Sequence, residues 1–504
     1  MKRKKQARFI LLFLAVFALI LTAACGGGGQ DSQSNNNQGN QGGGDNNNPD
    51  IPGADEPGEL QNQEKLPLDL PEANYGGYNF RILNAAQDDA EWLQMTIVTT
   101  EEDDMGIEIN DAVFKRNRTV EDRFNINIVE ISVPSRSDVP ARARRSIDAG
   151  SDDYDLVMPW VDASIALAQR GSLVDYNELT YVNLDRPYWD KDMRRDLSVG
   201  NRNYFMIGDF SMTHYSSAMA MFFNKKLIND LGLESPYNVI NEGRWTYDKF
   251  YEFALAATHD LNGDGRYDEN DRYGYMSLTF LWSPSFMASA GQQAVLKDAN
   301  DMHYLAVENE RYATVFNKMN EMMHSQNILF DADVGGRDHR LQDVMFPGNQ
   351  ALFWSELVHW STILRDMEAD FGIIVHPKFD ESQDYAPNLV NGPPIMGVPA
   401  TSQDLDRTSM ILEALCYEST DTVIKAYYDV LLKTKIARDN ESEAMLDIMF
   451  NNRFYNIAAV YYNDRVSSGL NGLSARPGGD LVSWLDRNKE RIEVEISRIN
   501  EEMQ

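Results

Sequence analysis

Tyr154-Asp155-Leu156-Val157-Met158-Pro159 reads as a short buried strand, with consecutive apolar residues led in by an acid and stopped by a proline. Downstream, Ile165 to Gln169 predicts a helix that ends before Gly171. Upstream, Phe124, Ile126 and Ile128 alternate as a strand does, and Ile109, Val113, Val120 and Phe124 recur at helical spacing. Before them, Tyr78-Asn79-Phe80-Arg81-Ile82 alternates again. Strands alternating with helices at this interval predict βαβ units on a largely parallel sheet. The pattern then recurs in kind. Ala218 to Phe223 predicts an apolar strand, followed by a short helix through Leu227 and Ile228. Thr246 is an N-cap for a helix burying Phe250, Phe253, Ala254 and Ala257. Tyr312, Val315, Phe316, Met319, Met322 and Met323 share one helical face, where methionine fills core space. Leu481, Leu485, Ile492, Ile496 and Ile499 mark a terminal helix. No fixed-period repeat is visible, which argues against solenoids and propellers.

The 504 residues allow two or three domains, and 43% hydrophobic with 25% charged composition is that of a globular chain. With 46 Lys plus Arg against 78 Asp plus Glu, the net charge of −32 argues against nucleic acid and anionic lipid as main partners. Two cysteines, Cys25 and Cys416, exclude a disulfide scaffold and a cysteine-built zinc site. Cys416, inside Met410-Ile411-Leu412-Glu413-Ala414-Leu415-Cys416, reads as a small buried hydrophobe.

The N-terminus is an address. Lys2, Arg3, Lys4, Lys5 and Arg8 precede an apolar run from Phe9 to Ala24, the order of an export signal and shorter than the roughly 20 residues of a membrane span. Leu21-Thr22-Ala23-Ala24-Cys25-Gly26 resembles a bacterial lipobox, with Thr22 where Leu is usual. That resemblance implies a signal peptide over 1–24 and a lipid on Cys25, anchoring the chain at the outer face of the cell membrane. Removing the signal takes five of the 46 basic residues, leaving 41 against 78 and a net charge of −37. Residues 25–65 hold the anchor site and a Gly/Asn/Gln/Asp/Pro-rich tether without aromatics, which cannot bury a core and reaches about 35 Å.

Several segments of the globular body resemble family 1 extracellular solute-binding proteins, the sugar-binding lipoproteins of ABC importers. They are Tyr154 to Met158, Phe222-Phe223-Asn224-Lys225-Lys226-Leu227-Ile228, Gly243-Arg244-Trp245-Thr246-Tyr247-Asp248, Phe346 to Phe353, Asp370-Phe371-Gly372-Ile373 and Asn391 to Pro399. Each piece is weak alone. Their order along residues 75 to 470, behind a lipobox and tether, is specific. The resemblance implies a two-lobe α/β fold of the periplasmic-binding-protein type, with an interlobe ligand cleft and crossing hinge strands. On that pattern 66–209 form the first part of lobe one, 210–375 lobe two, 376–425 the return to lobe one, and 426–504 C-terminal helices packing on lobe two. The crossings fall near Ile207 and Ile374.

Asp260-Leu261-Asn262-Gly263-Asp264-Gly265-Arg266-Tyr267-Asp268-Glu269-Asn270-Asp271 is the sharpest local motif. Oxygen ligands fall at positions one, three, five, nine and twelve (Asp260, Asn262, Asp264, Asp268, Asp271), with glycine at the sixth and the Arg266 carbonyl at the seventh, the spacing of a calcium loop. Asp271 in place of Glu makes bidentate coordination less assured. No second hand is visible, so the motif predicts a structural calcium rather than a sensor; the other reading is a metal-free turn. No organic cofactor is expected.

Sugars are held by aromatic faces flanked by carboxylates and amides. Strand-end loops are where open α/β sheets bind ligands. The candidates are Asn84, Asp88 and Trp92 after the first strand; Trp160 and Asp162 after the strand at 155–158; His214 and Tyr215 beside the crossing; Trp282; Trp354, Glu356 and Trp360; and Asn391. For each tryptophan the competing reading is a core residue. No nucleophile elbow, phosphate loop, dinucleotide fingerprint or His-Glu-x-x-His occurs, so no catalytic residue is assigned. The expected function is capture of an extracellular solute, an oligosaccharide by the family's habit, and its delivery by cleft closure to ABC importer permease subunits. The protein is expected to act as a monomer. The alternatives are a cell-attached glycan enzyme using paired cleft carboxylates and a calcium-stabilised adhesive lipoprotein.

Overall fold

The computed structural model describes residues 66–86, 93, 95–99, 108–383, 388–433 and 440–504. The expected signal peptide, Cys25, the tether, Asp88 and Trp92 lie outside the described residues. Among the described residues no helix is long and apolar enough to cross a membrane.

Lobe one is built on parallel strands. β1 (Tyr78–Ala85) leads through α1 (Glu108–Phe124) to β2 (Ile126–Val133), and α2 (Asp138–Asp148) leads to β3 (Leu156–Val157) and α3 (Val161–Ala168). The order is β2-β1-β3, with Tyr78 opposite Ile126 and Ile82 opposite Leu156. Phe80, Ile82, Ile126, Ile128 and Leu156 cover one face together with Val120 and Phe124 of α1. Each such side chain contributes about 1.5–3 kcal/mol on burial. The chain then runs through α4 (Lys191–Leu197) to the first crossing, where Met206 bridges Met396 and Ile207 is fully buried, and on to the short α5 (Thr213–Ser216).

Lobe two follows with β4 (Met219–Asn224), α6 (Tyr247–Ala257), β5 (Tyr273–Ser277), α7 (Thr279–Ser289), α8 (Glu310–Met323), β6 (Leu329–Asp331), α9 (Gln342–Met345), β7 (Ala351–Leu357) and β8 (Phe371–Ile374). The sheet order is β8-β4-β7-β5-β6; β5, β6 and β7 run parallel, and β4 is antiparallel to both of its neighbours. The Thr246 hydroxyl accepts the Lys249 N–H at 3.3 Å and starts α6, whose Phe250, Phe253, Ala254 and Ala257 are buried. β5 lies so close to α6 that a Cβ on Gly274 would stand 2.1 Å from the Ala254 carbonyl oxygen. α8 buries Tyr312, Val315, Phe316, Met319, Met322 and Met323 as one stripe.

Two boundaries differ from expectation. The return does not fall near Ile374, because residues after β8 stay on lobe two: the Lys378 N–H donates to the Trp245 carbonyl at 3.1 Å and the Tyr247 N–H to the Lys378 carbonyl at 2.9 Å. The chain goes back at β9 (Asn388–Val390), where Val390 bridges Ala218, and then through 394–397, where Pro394 bridges Trp160 and Gly397 bridges Val157. α10 (Leu405–Ser419) then packs on α1, burying Met410, Ile411, Leu415 and Cys416 against lobe one's sheet.

The C-terminal segment, expected to pack on lobe two, touches both lobes. α11 (Lys425–Lys433) lies on α1, α12 (Asn440–Asn451) on β8, β10 (Arg453–Tyr455) pairs in parallel with β9, α13 (Ile457–Tyr461) lies on α3, and α14 (Ser468–Ser474) lies on α7. The terminal α15 (Leu481–Glu502) packs on residues 303–305 of a small hairpin.

Candidate functional site

The carboxyl ends of β1, β2 and β3 in lobe one, and of β5, β6 and β7 in lobe two, are where this architecture offers ligand loops. At the end of β3, Trp160 is the extended residue that opens α3, and its ring is only partly buried. The Arg136 guanidinium, from the loop after β2, lies 5.0 Å from the ring centroid. Gly392, at φ +60°, closes against the same indole: a Cβ there would meet Trp160 Nε1 at 3.3 Å. Its neighbour Asn391 is half-buried and donates its backbone N–H to the Ser217 carbonyl at 3.0 Å. Trp160, Arg136, Asn391 and Gly392 therefore meet at one end of the crossing. Asp162 is exposed on the first turn of α3, its carboxylate accepting the Ala163 N–H at 2.8 Å. Asn84 is buried at the end of β1 and donates from Nδ2 to Glu130 Oε1 at 2.9 Å.

In lobe two, Glu356 near the end of β7 is 6% exposed, and its Oε1 accepts the Leu357 N–H at 3.2 Å. Burial, with the nearby Asp343 charge adding to it, pushes this carboxyl up to about 8. Asp343 on α9 is itself pushed up to about 6 by burial. Trp360 is half-buried and meets Trp354 edge-on at 5.7 Å.

Two tryptophans expected at a ligand instead fill the core. Trp354 is wholly buried between Phe222 and Phe346 and donates its indole N–H to Gln342 Oε1 at 3.1 Å. Trp282 is wholly buried and donates to Asp331 Oδ2 at 3.1 Å. His214 is buried too, with Nδ1 2.8 Å from the Ser211 carbonyl and Nε2 3.5 Å from Asp209. Tyr215, 8% exposed, lies under the Arg453 guanidinium at 4.8 Å.

Residues 121–407 match the family of bacterial extracellular solute-binding proteins. The chain belongs to this family. No curated protein matches it. Among solved structures, UgpB from Mycobacterium tuberculosis, in complex with glycerophosphocholine, is 15% identical, with a TM-score of 0.56 over 84% of this chain and 99% of its own. A cyclo/maltodextrin-binding protein complexed with maltotetraose is 13% identical, with a TM-score of 0.55 over 85% of this chain and 98% of its own. The ABC substrate-binding protein Lmo0181 from Listeria monocytogenes, in complex with cycloalternan, is 12% identical, with a TM-score of 0.51 over 85% and 99%. At these identities the likeness establishes the two-lobe α/β fold.

Around these strand ends the extracellular solute-binding protein also places Arg136, Gln342 and Asp343, which sequence reading did not single out. Arg136 lies in Pro134-Ser135-Arg136-Ser137, directly after a predicted strand, so the strand-end rule that found Trp160 could have found it. Gln342 and Asp343 sit on a helix of four residues, too short to carry a periodic signal.

The calcium-type loop is closed at its base by the bridge between His259 and Arg272. Gly263 and Gly265 take φ of +74° and +77°, the left-handed turns glycine permits. Its oxygens face its own amides. Asp260 accepts from Gly263 and Gly265 at 2.6 and 2.8 Å, Asn262 from Asp264 at 2.9 Å, Asp264 from Arg266 at 2.8 Å and Asp268 from Asn270 at 2.8 Å. Asp271, wholly buried, takes Leu261 on one oxygen and Asp268 on the other. The donor chemistry suits calcium, yet among the described residues no three His, Cys, Asp or Glu side chains converge as a metal site. As folded, the loop is held by amides.

Proposed function

We propose that this solute-binding protein captures an oligosaccharide outside the cell and hands it to an ABC importer, delivery to a transporter being the family's role. The observation that carries the reading is Trp160: a partly exposed indole at a strand end, braced by Arg136 and bordered by Gly392, which lacks a side chain to obstruct the approach. An indole face covers the apolar face of a sugar ring, and Asn391 beside it offers an amide to hydroxyls. Solved relatives of this fold bound to maltotetraose and cycloalternan support the choice of solute. Solute touching both lobes favours the closed state by its differential affinity, and the importer reads that state. Relatives are binding proteins, and the solute is expected to leave unchanged.

The test is thermal unfolding with maltotetraose, cycloalternan and glycerophosphocholine in separate titrations. A ligand at 100 times its dissociation constant adds about 2.7 kcal/mol to native stability. A saturable shift with either glucan, and the glucan recovered intact, supports the reading. A shift with glycerophosphocholine alone replaces the sugar by a zwitterion, and no shift with any of them rejects it.

The lipid on Cys25 and the export signal before it rest on the sequence alone. Cys25→Ser should release the protein from the membrane to the medium. Structural calcium is a separate proposal: the carboxylates that accept the loop's amides keep further lone pairs for an ion, and a melting curve unmoved by calcium and by chelator rejects it.

A further inference from the structure

The hinge carries a buried ionic cluster that the solute site does not use. Arg453 of β10 sits with its guanidinium 4.8 Å from the centroid of Tyr215 on the crossing helix α5, and its Nε donates to Asp190 Oδ2 at 3.0 Å. Tyr455, also on β10, donates its hydroxyl to the same oxygen at 2.8 Å. Asp190 Oδ1 caps α4 by accepting the Met193 N–H at 2.9 Å. Asp190 is thus satisfied on both oxygens and joins lobe one to the C-terminal strand. Phe450, at the end of α12, meets Tyr215 edge-on at 5.0 Å.

β10 is no bystander to bending. It pairs with β9, and β9 bridges the outgoing crossing at Ala218, so three chain segments lie side by side where the lobes join. A second tie lies next to it: Asp209 accepts the Thr420 hydroxyl at 2.6 Å and faces His214 at 3.5 Å. The segment that follows α10 touches both lobes, so any change of angle at 208–218 and 388–396 must carry β10 with it or break its contacts. Buried ion pairs are a poor route to stability, since apolar groups of the same volume serve as well. Their directional geometry does fix one arrangement against others.

We propose that Arg453 is a positioning residue of solute capture: acting through Tyr215 and Asp190, it clamps the C-terminal strand to the crossing helix and sets the angle between the lobes before solute arrives. The clamp rests on the solute-capture reading only for its effect on affinity. Its geometric claim stands alone.

The experiment uses the full chain with Cys25→Ser, and with spin labels on Arg144→Cys of lobe one and Lys226→Cys of lobe two. Interlobe distances are measured without solute in otherwise unchanged protein, in Arg453→Met and in Asp190→Asn, with melting temperatures alongside. Affinity for maltotetraose is measured by calorimetry. Arg453→Met is expected to broaden or displace the distance distribution and to change maltotetraose affinity about fivefold or more. Arg453→Lys, which keeps the charge and loses the planar stack, should restore the distribution only partly. If Arg453→Met does not fold, Tyr215→Leu removes the stacked partner from the other side and is expected to give the same displacement. Distances unchanged in every folded variant, with only the melting temperature lowered, overturn the clamp. Failure of maltotetraose to bind the parent protein rejects the sugar reading while the distances still decide the clamp.

Discussion

Glu356 is the group whose pH dependence can be worked out from its surroundings. It is 6% exposed, accepts a single hydrogen bond from the adjacent Leu357 N–H, and is pushed up to about 8 chiefly by burial. An unfolded glutamate releases its proton near pH 4.3, so between there and about 8 the folded chain holds one proton more than the unfolded chain. Stability supplied by the protonated form is fully present below that window and is lost as pH rises through it. At 1.36 kcal/mol per decade of proton concentration, the loss reaches at most about 5 kcal/mol. Glu356→Gln keeps the volume and removes the titration. The assay is urea unfolding of both proteins at pH 5, 6, 7 and 8.5. The glutamine variant should gain on the parent by about 1.4 kcal/mol for each pH unit from pH 5 to about 8, and the difference should level off towards pH 8.5. Burial lowers His303 to about 4 and His376 to about 3, so they act in the opposite sense, costing stability as pH falls below the ordinary imidazole range. They are common to both proteins and cancel in the difference. A difference that is flat from pH 5 to 8.5 would refute the reasoning, because it would mean that the carboxyl is ionised throughout.

Three further outcomes are expected. Trp160→Ala should weaken binding of the captured solute about 30-fold, while melting moves little because the ring is only partly buried, as calorimetry and melting would record. Gly274→Ala should cost about 3 kcal/mol or more in urea unfolding, since its Cβ would lie 2.1 Å from a helix carbonyl, and the strand would have to leave α6. Cys416, buried against Gly208 with its thiol pushed well up by burial, should resist iodoacetamide in native protein and react once the chain is unfolded, as mass spectrometry would read.

What the sequence made legible was local. The cap at Thr246, the stripe from Tyr312 to Met323 and the strand at Leu156 follow from side-chain pattern, and each stands where the pattern put it. The return to lobe one was not legible. The family pattern put it near Ile374, and the main-chain bonds from 378 back to Trp245 and Tyr247 leave no mark in composition. The same holds for the tryptophans. Trp160 and Trp282 look alike in sequence, but the acceptor that draws Trp282 into the core is Asp331, 49 residues away. Periodicity reports which residues are apolar on a face; it carries no information about a polar partner that arrives from another strand.

A net charge of −32 mildly favours neutral or cationic solutes over anionic ones, and the local chemistry narrows that preference. Glu356, buried near the end of β7, keeps its proton up to about pH 8, so at neutral pH it offers a hydrogen-bonding carboxyl rather than a negative charge. On the other lobe the cation of Arg136 is spread over the Trp160 ring. A cationic solute meets little attraction from a protonated acid and repulsion from the arginine. An anionic solute meets Arg136 but must approach a body of strongly negative charge. On the proposed capture reading, with Trp160 and Glu356 both reaching the solute, a neutral solute rich in hydroxyls would suit both, accepting from a protonated carboxyl and stacking on an indole, without moving a charge out of water. Raising the pH above 8 would ionise the free Glu356 and leave stacking at Trp160 unaltered. Affinity for such a solute should therefore fall between pH 7 and 9 in the parent protein and hold level in Glu356→Gln, which separates hydrogen bonding in lobe two from stacking in lobe one.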